Sequence, residues 1–267
     1  MEALAYEEQD QSPRPILEVR EVTLRYRTEE ALVTAVEDVS FSLAEGDRVI
    51  LVGPSGCGKS TLLKGVAGFL RPEKGKVLLA GEEVRRPGPE RMVVFQEFDQ
   101  LLPWKTVREN VAFALVSTGV PRREAEERAL HWLKKVNLSR CTESYPHQLS
   151  GGMKQRVAIA RCLAMNPRVV LMDEPFASLD PLTREKMQVE LLALWEEVRF
   201  TMLFVTHSIE EAIVLGNRIV TLSSWPGRVQ EEFDVTEAAA RMDRAAFEEL
   251  RSRIHRVLTR DVFDYSI

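Results

Sequence analysis

Cysteine is scarce in this 267-residue chain, which has only Cys57, Cys141 and Cys162. They are odd in number and lack metal-ligand spacing. They therefore form neither a disulfide framework nor a thiolate metal site, and they suit a reducing cytosol. Long hydrophobic runs are missing too, because no apolar stretch approaches the roughly eighteen residues that span a bilayer. There is no basic surplus: 36 Lys and Arg stand against 41 Asp and Glu, a formal net charge of −5. No global basic field therefore advertises a nucleic-acid partner. Residues Met1 to Asp10 are acidic and lack an apolar signal core, which argues against secretion. Hydrophobic content of 45% and charged content of 29% are those of a globular protein in water. The length allows one large α/β domain or two modest ones.

One stretch organises the rest. Gly53, Pro54, Ser55, Gly56, Cys57, Gly58, Lys59, Ser60 and Thr61 follow the pattern G-x-x-x-x-G-K-[ST]. Arg48 to Val52 before it reads as a buried strand, and Leu62 to Ala67 after it as a helix. Between strand and helix start, backbone N–H groups close around phosphate oxygens, and the unpaired N–H groups of the helix end point at the same anion. Lys59 is expected to reach the β and γ phosphates, Ser60 to offer its hydroxyl to Mg²⁺, and Thr61 to bond a phosphate oxygen. Cys57 is either an oxidation-sensitive thiol or a small inert filler.

The other candidates fall at strand ends. Residues 1–15 read as a frayed leader. From Ile16, partly alternating apolar residues predict antiparallel strands, interrupted at Thr28 to Glu30. Tyr26 closes the first strand. It is either a partly buried strand-end tyrosine or a flat face for a purine. Gly75 to Gly81 predicts a strand, and Arg91 to Phe95 another, which ends at Gln96, in the crevice where α/β sheets hold ligands. Leu101 to Trp104 is an apolar loop cluster, read as local packing or as a protein contact surface. Residues 106–148 read as mainly helical, with Ala125, Ala129, Trp132, Leu133 and Val136 on one face after Pro121. Ser150 then N-caps a helix behind Gly151 and Gly152, a second anion-binding helix start. One chain has no need of two, unless the second serves a nucleotide on another subunit.

Arg168 to Met172 predicts a buried strand ending in Asp173 and Glu174. Asp173 suits Mg²⁺ through its water shell, and Glu174 suits orienting or deprotonating an attacking water. Asp180 precedes a helix opened by Pro181, in which Val189, Leu192, Trp195 and Val198 keep helical spacing. Met202 to Thr206 is a further strand. His207 at its end is placed to hydrogen-bond a γ-phosphate oxygen, the alternative being a structural histidine. Arg218 to Leu222 is read as the last strand, Trp225 to Gly227 as a turn, and the tail from about Thr236 as a charged helix.

This ordered set resembles the ATP-binding subunit of ABC transporters over roughly residues 16–222. The resemblance implies an α/β P-loop NTPase core of mostly parallel sheet, an N-terminal antiparallel β subdomain and a helical insert at about 100–165. The cassette would occupy 16–235 and a helical tail 236–267. It implies that Tyr26 stacks on adenine and that Gln96 senses Mg²⁺ and the γ-phosphate beside a membrane partner. Ser150, Gly151 and Gly152 would bind the ATP held by a second copy, and Asp180 would bridge the two. Glu174, His207, Gln96 and Lys59 become the catalytic set, and Ser60, Gln96 and Asp173 the Mg²⁺ set. Met153 departs from the family's usual Gln. Leu149 to Met153, with Leu101 to Val111, looks like importers of nitrate, sulfonate and taurine. Such a subunit works with integral membrane permeases and a solute-binding protein at the cytoplasmic face of the inner membrane. The tail is too short for the regulatory domain many sugar importers carry. The runner-up is a soluble ABC-type ATPase acting on DNA or ribosomes. No Asn-Lys-x-Asp guanine reader is present, which argues against a GTPase switch.

Overall fold

The computed structural model describes residues 15–27, 31–235 and 244–260. The expected leader, the interruption at Thr28 to Glu30 and parts of the tail lie outside the described residues. Among the described residues, ten strands form two sheets. Leu17–Arg27 (β1), Leu32–Leu43 (β2), Lys74–Leu79 (β4) and Glu82–Glu83 (β5) make an antiparallel sheet of order β2-β1-β4-β5. Arg48–Val52 (β3), Arg91–Val94 (β6), Val169–Asp173 (β7), Thr201–Thr206 (β8), Arg218–Leu222 (β9) and Val229–Asp234 (β10) make the second, of order β10-β9-β3-β8-β7-β6. All its pairs are parallel except β9 with β10. β10 was not expected from the sequence. It is a half-polar edge strand, Val-Gln-Glu-Glu-Phe-Asp, in which Phe233 alone is buried.

The central strands are continuous apolar runs because both faces are covered. Side chains alternate between the faces along β3. Val49 and Leu51 join the core under the antiparallel sheet and helix Lys59–Ala67 (α1), while Ile50 and Val52 join the core on the opposite face. Between β6 and β7 the chain makes three helices, Val107–Ser117 (α2), Arg122–Lys135 (α3) and Gly151–Ala164 (α4). Thr106 and Glu109 form a reciprocal capping box at the start of α2. Ala125, Ala129 and Leu133 of α3 are fully buried, as the spacing predicts, with Val136 buried just past its end and Trp132 at the margin.

Helix Pro181–Val198 (α5) requires a correction. Its buried face is Met187, Leu191 and Leu194. Leu192, Trp195 and Val198 flank it, and Val189 is 62% exposed. Helix Ile209–Leu215 (α6) follows β8. Helix Arg244–Thr259 (α7), in the tail, seats Leu250, Ile254 and Val257 against α6 and β9. No helix among the described residues is long and apolar enough to cross a membrane.

Candidate functional site

The C-terminal ends of β3, β6, β7 and β8 open on one edge of the parallel sheet, where such folds hold ligands. They deliver Gly53, Gln96, Asp173 with Glu174, and His207 to that edge. α1 starts there without a side-chain cap. Its N-cap is Gly58, at φ 98, and the helix N–H groups are left for an anion. A Cβ on Gly58 would lie 2.5 Å from the Ala35 carbonyl oxygen, so only glycine brings the loop this close to β2. Gly56 at φ 81 faces open space instead.

Lys59 is buried, and its Nζ donates to the carbonyls of Gly53 at 2.7 Å and Pro54 at 2.9 Å. The ammonium is therefore held over the loop that grips phosphate. Cys57 is buried beside it. Burial pushes its thiol pKa up, against the pull of Lys59, so it is a protonated filler rather than a reactive thiolate. Ser60 Oγ donates to Asp173 Oδ1 at 2.8 Å. Burial raises the Asp173 carboxyl above the ordinary range, and the Ser60 hydrogen bond opposes this. Two hard oxygen donors at the head of α1 are the chemistry Mg²⁺ takes.

Glu174 sits at φ 43, a left-handed conformation that is costly for a non-glycine residue. Its N–H donates to the Val205 carbonyl at 3.0 Å, and its carboxylate Oε2 pairs with His207 Nδ1 at 2.9 Å. The two reach each other because β7 and β8 are neighbours in register.

Two hollows flank the loop. One, of about 220 Å³, is lined by Tyr26, Ser55, Gly56, Gly58, Lys59, Ser60, Thr61, Glu174 and Trp225. The other, of about 540 Å³, is lined by Ser60, Phe95, Gln96, Asp173 and Arg161 among others. Ser60 belongs to both. Ser150, Gly151 and Gly152 line neither hollow. Ser150 caps α4 by accepting from the Met153 N–H at 3.4 Å, and it is exposed. Asp180 likewise caps α5 through the Thr183 N–H at 3.1 Å.

The chain matches the ABC transporter family over residues 36–177. The taurine import ATP-binding protein TauB of Rhizobium johnstonii is 48% identical over 85% of this chain and 89% of its own. The nitrate import ATP-binding protein NrtD of Synechococcus elongatus is 48% identical over 72% of this chain and 70% of its own. This chain belongs to the ABC transporter family. Among solved cassettes, a dimeric one in a post-hydrolysis state bound to ADP and Pi shares 34% identity at a TM-score of 0.70, covering 82% of this chain and 98% of that one. As an ABC cassette the chain has the α/β P-loop NTPase fold, binds ATP and hydrolyses it.

Two features of this cassette escaped the motif reading. The sequence marks Trp225 only as part of a turn, yet it shares the hollow with Tyr26. Gln155, fully buried in α4, bonds the carbonyls of Phe95 and Pro175. Set between Lys154 and Arg156, it carries no sequence signal of burial.

Proposed function

We propose that this cassette is the ATP-hydrolysing subunit of an importer for a small sulfonate, taurine-like or nitrate-like solute. It would work on the cytoplasmic face of the inner membrane beneath separate permease subunits that a solute-binding protein supplies. The observation that carries the reading is the convergence of Lys59, Ser60, Asp173 and the Glu174–His207 pair on one phosphate loop. The substrate class rests on the likeness to taurine and nitrate import proteins. Action on DNA or ribosomes has no observation in its favour.

In this reading Tyr26 lies against the adenine and Lys59 neutralises charge on the β and γ phosphates. Ser60, Asp173 and Gln96 would hold Mg²⁺, and the ion would supply charge neutralisation at the phosphates. Water attacks the γ-phosphorus, the bond to the β-γ bridging oxygen breaks, and ADP and phosphate leave. Glu174 orients that water and takes its proton. A neutral imidazole has one N–H, so His207 either holds Glu174 or turns that N–H to the γ-phosphate. Only the imidazolium does both.

Ser150, Gly151 and Gly152 meet the nucleotide of a second copy, with the two chains head to tail and Asp180 at their junction. Met153 cannot offer an amide there, but the backbone of the three preceding residues remains. Leu101 is buried and Trp104 is 70% exposed, so the loop anchors itself with one apolar residue and would present another to a permease helix.

Affinity purification of the chain from its native membranes, with partners identified by mass, tests the reading. A co-purifying multi-span permease supports it. Recovery with ribosomes or DNA and no membrane protein would overturn it.

A further inference from the structure

The hollow beside the phosphate loop has two aromatic walls. Tyr26 ends β1, and Trp225 tops the turn between β9 and β10. They are 46% and 55% exposed, and both line the 220 Å³ hollow with the phosphate loop and Glu174. Among the described residues, neither ring stacks on another ring.

Trp225 does not ride on a loose loop. Ser223 N–H donates to the Arg228 carbonyl at 2.9 Å, and Arg228 N–H returns to Ser223 Oγ at 2.9 Å. Gly227 N–H donates to the Ala35 carbonyl at 3.0 Å, and Glu37 N–H donates to the Gly227 carbonyl at 2.9 Å. These bonds fasten the turn to β2. It also touches the phosphate loop itself, since a Cβ on Gly227 would stand 2.2 Å from the Cys57 carbonyl oxygen. A large aromatic side chain is thus presented at a fixed place on the rim of the nucleotide hollow, with a broad face still wet. Side chains of this kind gain most from a flat apolar partner, and a purine is one.

We propose that Trp225 is a second base-contacting residue, which with Tyr26 encloses the purine of ATP. The proposal rests on the ATP-binding reading of this site. Stacking reads no base edges, so Trp225 adds affinity rather than a choice between adenine and guanine.

The test measures binding of two probes to the full-length chain by calorimetry. One is a non-hydrolysable ATP analogue, and the other is inorganic tripolyphosphate, which fills the phosphate loop without a base. Trp225→Ala weakens the analogue by roughly ten-fold, the size expected for one stacked base, and leaves tripolyphosphate unchanged. Trp225→Leu, which keeps an apolar side chain without a flat face, behaves the same way, and Trp225→Phe restores most of the affinity. Equal losses for both probes would mean the turn only braces the phosphate loop, and would overturn the proposal. So would unchanged affinity for the analogue. Failure of the unsubstituted chain to bind the analogue would overturn the ATP-binding reading itself, and the proposal with it.

Discussion

Gln155 in α4 donates through Nε2 to the Pro175 carbonyl across 2.6 Å, and to the Phe95 carbonyl across 3.1 Å. Pro175 follows Glu174, and Phe95 precedes Gln96. One buried amide therefore joins the helix that starts after Ser150 to the residues adjoining Gln96 and Glu174. Gln100 extends the joint, since its Nε2 donates to Gln155 Oε1 at 3.2 Å and its carbonyl accepts from Arg161 at 2.7 Å.

Gln155→Leu removes the donor and leaves the Pro175 carbonyl short of a partner, while the Phe95 carbonyl still accepts from Gln100 Nε2 at 2.9 Å. An unsatisfied buried group costs the cassette about 1–3 kcal/mol of stability. Its ATPase rate falls more than its ATP affinity does. Urea unfolding and steady-state hydrolysis measure both, and an unfolding midpoint unchanged from the parent would refute the linkage.

Asp173 is a buried carboxyl whose pKa is raised by desolvation. A group raised on folding contributes stability below its unfolded pKa, and that contribution is lost as pH rises through the folded value. At neutral pH the charged form is thus a liability to the nucleotide-free fold. Asp173→Asn keeps an oxygen to accept from Ser60 and removes the charge. It is expected to raise the nucleotide-free Tm by a few degrees at pH 7 while hydrolysis collapses. The gain fades at pH values below the ordinary carboxylate range. Thermal melts across pH check this, and a lower Tm for the variant at pH 7 would contradict the desolvation account.

Trp104 is solvent-exposed at the start of the helical region, while Leu101 beside it is buried. Trp104→Ala is expected to reduce co-purification with the permease several-fold and leave the isolated chain's ATPase rate within about two-fold of the parent. A variant that co-purifies as well as the parent removes this loop from the contact.

What was legible in the sequence was what is local. Phosphate binding draws on consecutive residues from Gly53 to Thr61, so its pattern survives as a string. Gln96, Glu174 and His207 were legible because strand ends in a parallel sheet share one edge, and each follows a short apolar run. Contacts made across the fold were not legible. Trp225 comes to line the same hollow as Tyr26 only once β9 lies beside β3, and nothing in Trp-Pro-Gly announces that. The face of α5 was misread because two stripes satisfy a 3.6-residue period, and only packing selects Met187, Leu191 and Leu194 over Val189. β10 was missed because an edge strand with one buried residue has almost no hydrophobic signature.

We propose that Glu174 drives hydrolysis at a nucleotide closed over by a second copy. Glu174→Gln tests it in one preparation, with ATP turnover and particle mass followed side by side. The expected outcome is retained ATP binding, a turnover at least about a hundred-fold lower, and a stable particle of twice the monomer mass when ATP and Mg²⁺ are present. Turnover equal to the parent's, or a particle that stays monomeric with ATP bound, would contradict it.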